Sequence, residues 1–542
     1  PVIDVWYGPN QDFGQIGQPQ EWVNILGKVT DPDGISSLTY TLNGGAELPL
    51  LVGPDSRRLW NPGDFNVEIA YRDLQVGANT VVIAARDALG NQASETVTVN
   101  YAGVNVWPRT YSIDWSSVAA IEEVAQVTDG HWMLEGDSVR TMEIGYDRAI
   151  GIGDVTWDNY EVTAVLTLHG LNPFCQTDSC GGGPKVGILN RWIGHFDVDG
   201  SQPRWGWWRL GAIGWANVWE PLTFDPQYVR ITGLDGRIAN RLSGGLPFDV
   251  PHVMKFRTES DEQTQVHTHS LKVWPQGQAE PAGWDLVGQE DFSVGALKQG
   301  SVLLLAHHVD VSFGDVTITP IGTDTKDPVI SNVQVAATQT TATIRWSTDE
   351  FTNGSVAYGP TVAYENGAVT DPFYVADHSV TLTGLSAGTL YHYRVSSTDG
   401  SGNTASGADL TFTTLSGEES PSGLVSDQFD GGLNTEVWTF VDPVGDSTVS
   451  TTGTQVAISV PAGTSHNIWK QDNAAPRLRQ AANDTDVTLE VKFDSPLTER
   501  YQLQGLVAEQ DDGNLVRFDF YSDGVVTRIY SASFVNGMPT KR

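Results

Sequence analysis

The strongest limit on what this chain can fold into is a period-two pattern cut into short pieces. Runs such as Asn79-Thr-Val-Val-Ile-Ala-Ala-Arg-Asp87 and Glu95-Thr-Val-Thr-Val-Asn100 alternate apolar and polar residues. Each ends in a turn signal, of which Asp31-Pro32-Asp33-Gly34, Asn43-Gly44-Gly45 and Asp87-Ala-Leu-Gly90-Asn91 are examples. Alternate residues of an extended chain point to the same side, so these runs fit strands that bury one face. The chain holds 57 Gly and 27 Pro, which favour turns over long helices. Its 542 residues exceed what one core can organise, and 39% apolar content is enough to build several. The expectation is an all-β chain of tandem β-sandwiches, four in number.

Charge narrows the partners. A net charge of -35, from 31 basic and 66 acidic residues spread along the chain, repels phosphate backbones and anionic lipid surfaces, so nucleic acid is excluded. No apolar run reaches the length of a membrane span, and membrane insertion is not expected. The only cysteines, Cys175 and Cys180, are too few for a four-ligand zinc site and are not spaced as a redox pair. A local disulfide fits them better and points to an oxidising, extracellular or cell-surface setting. The chain opens at Pro1 without a signal peptide and reads as a processed or recombinant fragment, its true termini open.

Four segments emerge. Residues 1–102 resemble bacterial immunoglobulin-like modules, in which a strand ends in Asp-x-x-Gly-Asn and the last strand alternates Thr and Val. Residues 103–322 carry strands at Tyr160-Glu-Val-Thr-Ala-Val-Leu-Thr-Leu168, Lys185-Val-Gly-Ile-Leu-Asn-Arg-Trp192, His269-Ser-Leu-Lys-Val-Trp-Pro275 and Val311-Ser-Phe-Gly-Asp-Val316. Their order resembles the concanavalin A-like jelly rolls of laminin-G-type sugar-binding or sugar-cleaving domains. Residues 327–415 resemble fibronectin type III domains in Ala342-Thr-Ile-Arg-Trp346, Leu390-Tyr-His-Tyr-Arg-Val395 and Asp399-Gly-Ser-Gly-Asn403. That resemblance makes Trp346 the core tryptophan and puts Tyr391 and Tyr393 after the corner turn. Residues 423–542 open with Asp427-Gln-Phe-Asp-Gly-Gly-Leu-Asn-Thr-Glu-Val-Trp438, similar to a second concanavalin-like sandwich. Strands are expected at 487–493, 501–509 and 514–520, with the fold incomplete at its C-terminal side.

The densest candidate site is the stretch Arg191, Trp192, His195, Asp197, Asp199, Arg204, Trp205, Trp207 and Trp208, continuing to Trp215 and Trp219. Sugar rings stack their apolar faces on flat aromatics, and their hydroxyls pair with Asp and Arg, so this mixture suits a glycan. Burial of the tryptophans in a large sandwich is the competing reading. A carboxylate-pair glycosidase needs two acids at set spacing. The resemblance to laminarinase-like enzymes would place them as Glu-x-Asp-x-x-Glu. Glu135 and Asp137 supply the first half, but Arg140 and Thr141 stand where the second Glu should be. His267 and His269 share one strand face and could act as a lyase base or hold a metal; a polar solvent face explains them equally well. His307 and His308, adjacent on a strand, should point to opposite faces. Asp31, Asp33, Asp87 and Asn91 suit Ca2+ as hard oxygen donors, though turn chemistry favours the same residues. Other familiar catalytic motifs are absent.

These observations favour a secreted, bacterial-type carbohydrate-binding protein, or the accessory part of a polysaccharide-degrading one, with polysaccharide as partner and the second segment gripping it. The alternatives are a glycoside hydrolase or polysaccharide lyase built on that segment, and a self-associating adhesin or filament subunit.

Overall fold

The computed structural model describes residues 1–172, 183–207, 210–218, 228–242, 246–415, 424–427, 429, 432–435, 437–461, 463–469, 472–482, 487–511, 513–524, 526–535 and 538–541. Cys175, Cys180, Trp208 and Trp219 lie outside these residues. The regular structure is β throughout, interrupted by single 3-10 turns such as Tyr71–Asp73 and Trp115–Ser117. Contacts divide the chain into two compact units: residues 1–337, 341–384 and 390–412 form one, and residues 338–340, 385–389 and 413–542 the other.

The first unit begins with a sandwich of a three-stranded sheet, Val2–Val5, Trp22–Thr30 and Asp64–Ala70, and a five-stranded one. The second sheet contains one parallel pair, Asn10–Phe13 beside Gln92–Tyr101. Alternation delivers Val23, Ile25, Val67, Val81, Ile83, Val97 and Val99 to the core between them. The strands Trp22–Thr30 and Asp64–Ala70 break the half-buried pattern, being buried on both sides. Their outward residues Asn24, Asn66 and Glu68 are covered by the next sandwich, whose Thr128 carbonyl accepts from Asn66 Nδ2 at 3.2 Å.

That second sandwich stacks a seven-stranded sheet on an eight-stranded one. The seven-stranded sheet runs in the order Gln126–Asp129, Arg148–Ile152, Ser301–His307, Lys185–Trp192, Leu210–Asn217, Tyr228–Gly233 and Gly236–Leu242. Strand Lys185–Trp192 is buried along its whole length, so both faces of this sheet are covered there. The inner face joins the main core through Val186, Ile188, Ala212 and Leu304. The outer face carries a second apolar cluster of Leu189, Trp192, Leu210, Ile213, Trp215, Leu303 and Leu305.

A six-stranded sheet then spans Ile330–Ala337 to Leu410–Thr413. Trp346 is 2% exposed, donates from Nε1 to Ser397 Oγ at 2.9 Å and stacks flat on His378 at 4.7 Å. Tyr391 and Tyr393, two apart on Leu390–Asp399, both turn inward against Phe412.

In the second unit a four-stranded antiparallel sheet, Leu503–Asp511, Asn514–Ser522, Thr527–Val535 and Met538–Lys541, accompanies three two-stranded ribbons. Residues 487–493 do not form the expected strand. They pair with no strand among the described residues, and Val487, Leu489 and Val491 are exposed.

Candidate functional site

The Arg191–Trp215 stretch separates into buried framework and an intramolecular clasp. A register shift between Asn190 and Trp192 and a φ of 60° turn the Arg191 side chain inward. There it donates to the Asp158 carbonyl at 3.0 Å, Asn159 Oδ1 at 2.9 Å, Ser260 Oγ at 2.7 Å and the Leu297 carbonyl at 3.2 Å. These acceptors are neutral, and burial pulls the guanidinium down to about 10. Trp192 has no exposed surface. His195 is wedged between Trp192 and Trp207, at 5.4 and 5.0 Å, and burial with the nearby Arg58 charge holds its pKa well below the usual value. Asp197 and Asp199 accept from the backbone amides of Gly200 and Ser201 in an exposed turn, at 2.6 and 3.2 Å.

Residues 195–207 grip the first sandwich. Trp22 Nε1 donates to the His195 carbonyl at 3.0 Å, and Arg204 lies 3.5 Å over the Trp22 ring. Arg204 N donates to Glu68 Oε2 at 2.7 Å, while Gln202 exchanges hydrogen bonds with the Glu68 backbone at 3.2 and 3.3 Å. Arg58, buried, pairs with Glu68 and also with Asp129 at 2.8 Å. Burial pushes Asp129 up to about 7 even so. A crevice elsewhere on this seam is lined by Tyr7, Gln11, Asn24 and Gln126.

A different group on the outer side of the seven-stranded sheet has the chemistry of a binding site. Lys185 stands in register with both Asn217 and His307 and lies 5.5 Å from the Trp215 ring. Trp215 approaches His307 at 6.3 Å, and His307 meets His308 at 4.5 Å. Tyr146 borders both imidazoles at 4.8 and 5.6 Å, and His307 Nδ1 is 2.7 Å from Asp147 Oδ1. Trp60, from the first sandwich, stands edge-on to His308 at 4.9 Å. Opposite orientations for His307 and His308 are thereby overturned: His308 has φ 58°, the strand alternation stops there, and both rings fall together. His308 has no exposed surface, and among the described residues neither of its ring nitrogens has a hydrogen-bond partner. Burial, with His307 beside it, pushes it down to about 3. Trp60 and Tyr146 remain half-buried. No local signal marks Trp60, because the sequence does not say which loop of one sandwich lies over the next.

His267 and His269 do share a face, with rings 6.3 Å apart, but it is the sandwich interior; neither is exposed. His267 stands 3.2 Å from an Arg191 nitrogen and is pushed down to about 3 by burial and by Arg191; His269 faces Glu290 at 3.4 Å. The solvent-face reading is therefore corrected. Glu135 and Asp137 sit at an exposed hairpin, and Arg140 pairs with Glu135 at 3.1 Å and Asp310 at 2.9 Å.

The carboxylates of Asp31, Asp33 and Asp87 converge, each offering an oxygen within 4.8 Å of the others. Asn91 donates to Asp87 Oδ2 at 2.6 Å, so its amide braces the turn. An equivalent group, Asp324, Glu350 and Asp399, meets the same spacing. Asp399 repeats the Asp87 turn, accepting from Ser401 N, Asn403 N and Asn403 Nδ2 at 2.8, 2.9 and 2.8 Å. Burial and the neighbouring Asp324 and Asp399 charges push Glu350 up to about 7. Both all-oxygen sets fit a hard divalent cation such as Ca2+. The shared Asp-x-x-Gly-Asn spelling is the signal that would have revealed the second.

A Fibronectin type III domain model matches residues 328–413. No curated protein matches the chain. Among solved structures the chain is similar to the Ca2+/Man-bound VIP36 exoplasmic/lumenal domain, at 11% identity over 36% of this chain and 82% of that one, with TM-score 0.25. It is similar to peanut lectin with a 9mer peptide at 8% identity, covering 40% of this chain and 100% of that one, TM-score 0.27. It is similar to the chicken CNTN1 FN1-FN3 domains at 9% identity, covering 74% and 97%, TM-score 0.15. The class that the strand order and the family match define is a modular all-β chain of tandem sandwiches, one matching fibronectin type III.

Proposed function

We propose that the protein is a secreted, multidomain carbohydrate-binding protein whose glycan site is the aromatic face formed by Trp60, Tyr146, Lys185, Trp215, His307 and His308. The observation that carries this reading is His308, whose two nitrogens lie unpartnered beneath half-buried rings. A neutral imidazole offers one donor and one acceptor, and leaving both unmet costs about 1–3 kcal/mol per group. A sugar hydroxyl could reach either nitrogen only where Trp60 or Tyr146 turns aside, and the displaced ring would then stack on the sugar. Ca2+ at the Asp31, Asp33 and Asp87 turn would brace the first sandwich.

The test is binding of the full chain to a polysaccharide panel. Tyr146→Ala and His308→Ala should each lower affinity about tenfold, as removal of about 1.4 kcal/mol would. Unchanged binding by both variants sinks the reading. A second reading, an eliminating lyase, draws on the Asp147–His307 pair beside Tyr146, since a carboxylate-oriented imidazole is suited to take a proton. Unsaturated uronate ends in digested polysaccharide would establish it; intact polymer would leave binding alone.

A further inference from the structure

Resting on that reading, we propose that the ligand is an anionic glycan and that the first sandwich supplies part of its site, with Arg57 taking the carboxylate or sulfate and Trp60 closing over the ring. The loop of residues 53–61 is locally divided. Arg58 and Leu59 point inward, 6% and 2% exposed, and Arg58 is fixed by Glu68, Asp129 and the Thr128 carbonyl. Their neighbours face outward: Arg57 is exposed and Trp60 half-buried.

The loop is braced independently of any ligand. Asp55 Oδ1 accepts from Arg57 N at 2.7 Å and Leu59 N at 3.0 Å, and Asp64 Oδ2 accepts from Asn61 N at 2.7 Å. Arg57 is therefore presented by a set backbone, which lowers the ordering penalty on binding.

Charge gives the ligand its sign. In a chain with 66 acidic and 31 basic residues, Arg57 makes no ion pair among the described residues; its guanidinium lies 3.8 Å over Trp205. Its field reaches the Tyr146 hydroxyl and the Asp199 carboxylate. On the sheet side Lys185 and Arg148 act on His308. The nearby acids are engaged: Asp147 by His307 and Asp199 by its own turn amide. A guanidinium stacked on one ring still presents its N–H edge to a carboxylate or sulfate oxygen pair, with the sugar beside it against Trp60.

The full chain should be tested against polygalacturonate, dextran sulfate and neutral dextran by titration calorimetry. The expected result is retention of an acidic probe over dextran, weakening with added NaCl, and preference between the two acidic probes identifies the anionic group. Arg57→Ala and Trp60→Ala should lose tenfold or more in affinity with an unchanged thermal midpoint, and Arg57→Lys should recover part of it. If Tyr146→Ala, His308→Ala and Trp60→Ala lose binding while Arg57→Ala does not, the anion contact is wrong and the glycan reading stands. Dextran bound as well as either acidic probe, or no acidic probe bound, overturns the proposal.

Discussion

The second sandwich holds two aromatic groups with opposite fates. In the clasp of residues 195–207, tryptophans and charges meet counterparts on the first sandwich: Arg204 covers Trp22, Glu68 receives Arg58 and Arg204, and His195 is sealed between rings. On the outer sheet face, rings of the same kind surround an imidazole with nothing to bond. Aromatic density marks both regions equally. Single atoms are unmet in the clasp too, among them Trp192 Nε1, His195 Nδ1 and Trp205 Nε1, so what separates the regions is one imidazole, His308, with both nitrogens unmet beside rings that still have exposed surface.

The largest effect should come from opening the clasp. Arg58→Ala leaves Asp129 buried without its cation and Glu68 with Arg204 alone, and breaking such a pair costs about 3–5 kcal/mol. Urea unfolding should show the first sandwich melting ahead of the rest. A single unshifted transition would mean that the clasp is not the mechanical link described. Next in size is Ca2+. If either carboxylate group binds it, free ion at a hundred times the dissociation constant stabilises by about 2.7 kcal/mol. Chelation should lower the thermal midpoint, and Asp87→Asn and Asp399→Asn should each abolish part of that response.

His308→Leu sharpens the contrast from the other side. Replacing an unpartnered buried imidazole by an apolar side chain should raise stability by about 1–3 kcal/mol while removing glycan affinity. Loss of both stability and binding would show instead that the ring is structural. Acid should act through the neutral histidines. His378, packed on Trp346 and held by Thr348 and Thr352, is pushed down to about 4 by burial. Below about 6.5 the unfolded chain takes up a proton that the folded one refuses, so stability falls as pH drops from there toward 4. The loss should be about 1 kcal/mol between pH 6 and 5 for this one group, and smaller in His378→Asn.

The sequence shows the fold well where period-two alternation controls which side is buried, as at Trp346, Tyr391 and Tyr393. It fails where the backbone leaves that period. His308 at φ 58° rejoins His307, and the shift after Asn190 sends Arg191 inward. It fails as well where alternation lacks a neighbour: 487–493 has the pattern of a strand and no partner strand among the described residues. The turns that hold Asp31, Asp33, Asp87 and Asp399 are legible in their spelling, whereas the meeting of Asp87 with Asp31 and Asp33, and of Asp399 with Asp324 and Glu350, is made only by the fold.

The smallest predicted effect tests the comparison most directly. Asp197 and Asp199 have the residue type and the tryptophan neighbours of a sugar-binding pair, yet their carboxylates cap the turn at Gly200 and Ser201. Asp197→Asn keeps an acceptor for the Gly200 amide and removes only an exposed charge, so stability should move by no more than about 0.5 kcal/mol. Glycan affinity should stay within twofold, against the tenfold loss expected for Tyr146→Ala. If the order is reversed, with Asp197→Asn abolishing binding and Tyr146→Ala tolerated, then the glycan contacts the outer turn of the clasp, and the sheet face around His308 is only core.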